Sequence, residues 1–264
     1  MIIPITIACG KRYGDLAEIS VRSFLKHHPD HPLIVLVDPK TREQLRPICD
    51  EYENFNMIAI HKYIEKAKKL VGFRGFAKYT FEGTNEKHNK MYSSLKPIVK
   101  QLAVGNRFPD REWILSIDVD SYFSGNILDH VEKLLKLCDR KYNMFMVTRK
   151  DKRMQCTGAF QPGSGFTMWN RHSPFMKIFV KNFSAKCVGV HGGSQDLINH
   201  IRRRKKIHCK MLNNPMLHFV SPDMVRPNMS SAEIRKIQPA YIHLHGPRSL
   251  ERVKRFQRAF EEGV

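Results

Sequence analysis

The sequence predicts an α/β protein built on a mostly parallel central sheet with helices on its faces. Three observations carry this. Short apolar runs recur along the first half of the chain, and segments of helical periodicity separate them. The run Trp113–Ile117 suits a strand buried on both faces, and it ends in Asp118-Val119-Asp120. Open α/β sheets bind ligands at such carboxyl ends, so the acidic pair stands where a site is expected. At 264 residues, 42% of them apolar, the chain fits one large domain with a real core.

Ile2–Ala8 reads as the first buried strand. The following loop, Cys9-Gly10-Lys11-Arg12-Tyr13-Gly14, is neither a GxGxxG nor a P-loop, which argues against dinucleotide and ATP sites. It is still a natural nucleotide-binding edge, with Ala8, Gly10 and Tyr13 as contact residues. Leu16, Ile19, Ser23, Phe24 and His27 recur at helical spacing. Leu33–Val37 is the second strand, stopped by Asp38-Pro39. Thr41 and Gln44 form a capping-box pattern that opens a helix over residues 41–53, and residues 57–60 form the third strand. This βαβαβ order predicts right-handed parallel connections.

Residues 71–92 break the pattern. Phe73, Arg74, Phe76, Lys78 and Tyr79 interleave aromatics with cations, which suits an acceptor-binding lid as well as a plain insertion. Ser94 is read as the start of the next helix, with Pro97 early in it and Lys96 at its amino end, placed for a nucleotide. Ile127–Leu137 is amphipathic and residues 142–147 form a strand. Gly163-Ser164-Gly165-Phe166 enters another strand, and Ser194 caps a helix that ends in Arg202-Arg203-Arg204-Lys205-Lys206. Five cations exceed what a helix carboxyl end needs, and Arg203 and Lys205 become acceptor-binding candidates. Residues 240–248 form a short strand and tight turn before a basic last helix containing Val253, Phe256 and Phe260, either an amphipathic tail or a packed helix with a solvated basic face.

The formal net charge is +20, more than a small anionic substrate requires. A polyanionic partner is expected, either nucleic acid or an anionic membrane surface. Residues 201–264 hold 14 basic and 5 acidic residues and residues 51–100 hold 10 and 5, so the excess is spread and not confined to one tail. The six cysteines have no paired spacing, which argues for a reducing compartment and against zinc. No transmembrane run and no signal-peptide pattern is seen, and a cytoplasmic location is expected.

Two carboxylates at the end of a buried strand repel one another and need a cation between them. A divalent metal with oxygen ligands, one that also binds substrate phosphates, meets that need. The alternative is a strand that simply ends in a polar turn.

The order of these pieces resembles a GT-A glycosyltransferase, most like the group with glycogenin and bacterial lipopolysaccharide galactosyltransferases. Ile117-Asp118-Val119-Asp120 resembles that family's metal-binding Asp-x-Asp, and Lys96 its upstream basic residue. Gly163-Ser164-Gly165-Phe166 resembles Asn-Ser-Gly-hydrophobic, with Gly163 in place of Asn. Ser194-Gln195-Asp196-Leu197-Ile198-Asn199 resembles Asp-Gln-Asp-x-Leu-Asn, with Ser194 in place of the first Asp. His243-Leu244-His245-Gly246 resembles His-x-x-Gly. Arg248 stands one residue before the family's pyrophosphate-binding Lys, and the Pro-Trp after it is missing.

The resemblance implies one GT-A domain, with residues 1–125 as the nucleotide-sugar half and 126–264 as the acceptor half. It implies Mn2+ or Mg2+ on Asp118, Asp120 and His243. The nucleotide-sugar, a UDP-sugar by expectation, would meet Ala8, Gly10, Tyr13, Lys96, Asp118, Val119, Ser164, Gly165, His245, Gly246 and Arg248. His245 competes with His243 for the metal. Asp196 is the base if the reaction inverts, and Gln195 the polar neighbour of the anomeric carbon if it retains. Three acceptor readings stand: a hydroxymethylated pyrimidine in phage DNA, a lipopolysaccharide or surface glycan at the inner membrane, and a non-catalytic nucleic-acid-binding protein.

Overall fold

A computed structural model describes residues 1–10, 13–72, 86–105, 107–138, 142–149, 161–183, 194–204, 207–212, 229–236, 241–243 and 249–261. The elements run β1 (Ile2–Ala8), α1 (Gly14–His27), β2 (Leu33–Val37), α2 (Pro39–Glu51), β3 (Phe55–Ala59), α3 (His61–Leu70), α4 (Glu86–Val104), β4 (Trp113–Ile117) and β5 (Ser121–Phe123). They continue with α5 (Ile127–Leu137), β6 (Met144–Arg149), β7 (Gln161–Asn170), α6 (Phe175–Asn182), α7 (Ser194–Arg203), β8 (Cys209–Leu212), α8 (Ser231–Arg235), β9 (Tyr241–His243) and α9 (Ser249–Glu261).

Among the described residues the main sheet has the order β3-β2-β1-β4-β7-β6-β8. β1 pairs in parallel with β2 and β4, and β2 with β3, as the βαβαβ pattern predicts. β7 is antiparallel to both β4 and β6, and β8 is parallel to β6. β7 alone among these strands therefore runs against the rest.

Side chains alternate between the two faces of each strand. Leu33, Val35 and Val37 of β2, with Trp113, Leu115 and Ile117 of β4, meet α1, α2 and α5 on one face. Ile34, Leu36 and Ile114 meet α3, α4, α6 and α7 on the other. A third cluster joins α1 to Tyr122 of β5, Ile242 of β9 and Val253 and Phe256 of α9. The apolar face of α9 is thus filled by protein, as in the packed alternative for this helix and not the amphipathic tail.

Several sequence expectations shift. The N-cap of α2 is Asp38, not Thr41: its carboxylate accepts the Thr41 N–H at 2.8 Å. Pro39 decides this, since its fixed φ and missing N–H suit the first helical position. β3 and β6 are offset by two residues from residues 57–60 and 142–147. α3 was not anticipated; Tyr63, Ile64 and Ala67 form its buried stripe among lysines. α4 begins at Glu86 and not at Ser94, so Pro97 lies inside it and removes one helical hydrogen bond.

His28 closes α1 and links it to α5. Its Nδ1 donates to the Phe24 carbonyl at 2.7 Å, and its Nε2 accepts the Ile127 N–H at 2.9 Å. The ring stacks on Phe24 with centroids 4.2 Å apart. Burial holds this imidazole neutral and lowers its pKa to about 4 from an ordinary 6.5. The unfolded chain therefore binds a proton that the native one refuses between those values, so stability is full above pH 6.5 and falls toward pH 4. We expect urea titrations to show a loss on the order of 3 kcal/mol attributable to this site over that range. His28→Leu should be less stable at pH 7 and lack that component of the slope.

Candidate functional site

β4 carries its acidic pair out of the sheet at the carboxyl edge. The Asp118 N–H donates to the Gly165 carbonyl at 2.9 Å, extending the β4–β7 ladder one step past the strand end. Ser121 Oγ then donates to the Asp118 carbonyl at 2.6 Å, which tightens the turn into β5. β5 pairs antiparallel with β9, and Ser121 stands opposite His243. This small ribbon closes a separation of 123 residues and sets His243 Nε2 2.8 Å from Asp120 Oδ1. The same nitrogen lies 3.7 Å from Asp118 Oδ2. Ligand atoms of Asp118, Asp120 and His243 fall within 4.8 Å of one another.

α4 adds a cation. Lys96 Nζ lies 3.2 Å from Asp118 Oδ1. Burial opposes charge on all three partners, and mutual attraction outweighs it. Lys96 is held above the ordinary lysine value by Asp118 and Asp120. Asp118 is held below the ordinary carboxylate value by Lys96 and His243, and His243 is raised by Asp120.

Two carboxylates and an imidazole are a donor set for a divalent metal ion, and these three side chains would hold one. The imidazole is braced from behind. A methyl group added at Gly165 would lie 2.2 Å from His243 Nδ1, so the ring rests on bare backbone. Tyr241, two residues before His243, donates its hydroxyl to the Gly165 carbonyl at 2.8 Å. Gly165, expected to touch the nucleotide-sugar, also supports the histidine.

At the neighbouring edge Ala8 ends β1 fully buried. Gly10 has φ +96°, and its N–H donates to Asp38 Oδ2. The carboxylate that caps α2 thus also anchors the first loop. Tyr13 lies exposed on the same loop. Val119 turns its side chain into the core, leaving its main chain for any ligand.

Ser164 lies on β7, and Gln195 and Asp196 lie on the first turn of α7; these three side chains are outside the described residues. Arg203 is exposed at the end of α7. His245, Gly246, Arg248, Phe73, Arg74, Phe76, Lys78, Tyr79 and Lys205 also lie outside the described residues. Sequence reasoning missed Lys100, Ser121, Tyr241 and Asp38. Only Lys100 carried a usable signal, since it follows Lys96 by one helical turn.

No family model and no curated protein sequence matches the chain. Solved structures do. Mouse xyloside xylosyltransferase 1 superposes with a TM-score of 0.61 at 10% identity, over 92% of this chain and 97% of that one. The galactosyltransferase LgtC, in complex with donor and acceptor sugar analogues, gives 0.55 at 15%, over 99% and 96%. A glycosyltransferase involved in glycosylation of the major capsid of PBCV-1 gives 0.54 at 12%, over 97% and 98%. The chain has the GT-A fold.

Gly165→Ala should push the imidazole off its support. We expect Mn2+ affinity, read by electron paramagnetic resonance of the free ion, to fall about tenfold or more. A Gly165→Ala protein that binds Mn2+ like wild type would count against the brace.

Proposed function

We propose that the protein is a metal-dependent glycosyltransferase. It would move a sugar from a nucleotide-diphospho-sugar, with a UDP-sugar as donor, to a hydroxyl on a polyanionic acceptor. The observation that supports this best is the convergence of Asp118, Asp120 and His243 beside Lys96 at the carboxyl edge of a GT-A sheet. When bound, Mn2+ or Mg2+ on those three residues would neutralise charge developing on a diphosphate leaving group.

The remaining work falls to side chains. Lys96 offers a cation to the donor next to Asp118. Tyr13 presents an exposed ring on the first loop, suited to stacking on a nucleobase. Asp196 and Gln195 open α7, where Asp196 would take the acceptor proton in an inverting reaction or Gln195 would face the anomeric carbon in a retaining one.

For the acceptor we propose DNA that carries a hydroxymethylated pyrimidine. The support is electrostatic: a charge of +20 spread over the chain suits a phosphate backbone. The packed apolar face of α9 weakens the competing reading, a glycan transferase held to a membrane by that helix. No described helix is long and apolar enough to cross a membrane.

Incubation with a panel of nucleotide-sugars, Mn2+ and hydroxymethylated DNA, followed by nucleoside mass spectrometry, tests the whole reading. A glycosylated nucleoside is expected with wild type and none with Asp120→Asn. Donor hydrolysis without DNA modification would keep the transferase and remove the DNA acceptor. Duplex binding should weaken steeply as salt rises, and a flat salt response would also remove DNA.

A further inference from the structure

α4 sends two amines to the end of β4. Lys96 reaches Asp118, and Lys100, one turn further on, lies beneath it. Lys100 is 1% exposed, among the most deeply buried large side chains of the protein. Its Nζ donates to Ser116 Oγ at 2.7 Å and to the Ile117 carbonyl at 3.1 Å. These are the two residues that lead into Asp118. A buried lysine is costly, and an apolar side chain of the same length would fill the space without that cost. The proposed reaction does not use this amine directly.

We propose that Lys100 is a positioning residue for the divalent cation: its amine pins Ser116 and the Ile117 carbonyl, and so fixes where the Asp118 carboxylate projects. The inference rests on the metal-site reading above. The geometry makes the link short. Asp118 is the next residue after the pinned carbonyl, and its own N–H is bonded to Gly165. Lys100 therefore holds the α4 side of the strand end, while β7 holds its edge. Gly165 also supports His243. One cation ligand is then fixed through α4 and another through β7.

The amine also matches its surroundings in number. A neutral amine donates two hydrogens, and the described residues offer it two acceptors. Burial is the main reason its pKa is lowered to about 7; Lys96 on the same helix lowers it further, and Asp118 at the end of β4 opposes this. A charged amine here would repel a dication, so Mn2+ binding should be favoured by its neutral form.

The test compares Mn2+ affinity of wild type, Asp120→Asn and Lys100→Met by electron paramagnetic resonance from pH 6 to 8.5. Thermal melting without metal checks the fold. Wild type should bind and Asp120→Asn should not. If wild type binds no Mn2+, the metal site falls and this inference with it. At pH 8.5, Lys100→Met should bind about tenfold more weakly while melting within a few degrees of wild type. Its affinity should also rise less steeply through pH 7, because the Lys100 proton is gone and His243 is left to compete with the ion. Equal affinity at pH 8.5 in a folded Lys100→Met protein overturns the proposal and leaves the metal site standing. Should Lys100→Met fail to fold, Ser116→Ala decides: a loss of about threefold or more supports the pin, and unchanged binding overturns it.

Discussion

Two carboxylates, separated by one residue, leave a fully buried strand side by side. Their repulsion and their desolvation set a requirement that the rest of the molecule meets. The nearest cation in the local sequence, Arg111, stands at the other end of β4. Lys96 comes from a helix that precedes the strand, and His243 from a strand near the end of the described chain. The packing of α4 against the sheet and the pairing of β5 with β9 bring these two side chains to the acidic pair. A three-residue strand such as β9 could not stand alone, and α9 secures it by packing Val253 and Phe256 against the ribbon and α1.

The two buried histidines described above make the electrostatics plain. Burial lowers the proton affinity of each. At His28 burial outweighs the Phe24 carbonyl and the more distant Asp129, which favour the imidazolium, and the ring stays neutral. At His243 two carboxylates reverse the outcome. One ring serves as a structural link between α1 and α5, the other as part of a charged cluster, and neither role is visible in the residue type. Burial is common to both; only the partners differ.

Asp38 and Gly165 share a further property. Each serves the site without facing it. Asp38 uses one oxygen to cap α2 and the other to hold the Gly10 N–H, which ties the first loop to the sheet edge. Gly165 gives its carbonyl to Asp118 and Tyr241 and its bare α-carbon to His243. Lys100 belongs with them through Ser116 and Ile117. Behind the acidic pair lies a layer of support that is as specific as the pair itself.

What the sequence alone determined was local. Apolar runs marked β1, β2 and β4, helical spacing marked α1 and α5, and the placement of Asp118 and Asp120 at a strand end marked the site. Those signals survive because strand and helix periods are short and need no distant partner. The Thr41–Gln44 pattern overlaps and masks the Asp38 cap, and Pro97, which suits a first turn, hides the start of α4 at Glu86. His243 was named through resemblance, since no local pattern places it beside residues so far away in the chain. Its contact with Asp120, the anchoring by Lys100 and the need for glycine at position 165 were decided by tertiary structure. The reason is that each depends on which strands and helices lie side by side, and pairing between distant segments is fixed by packing of the whole core and not by the residues near any one of them.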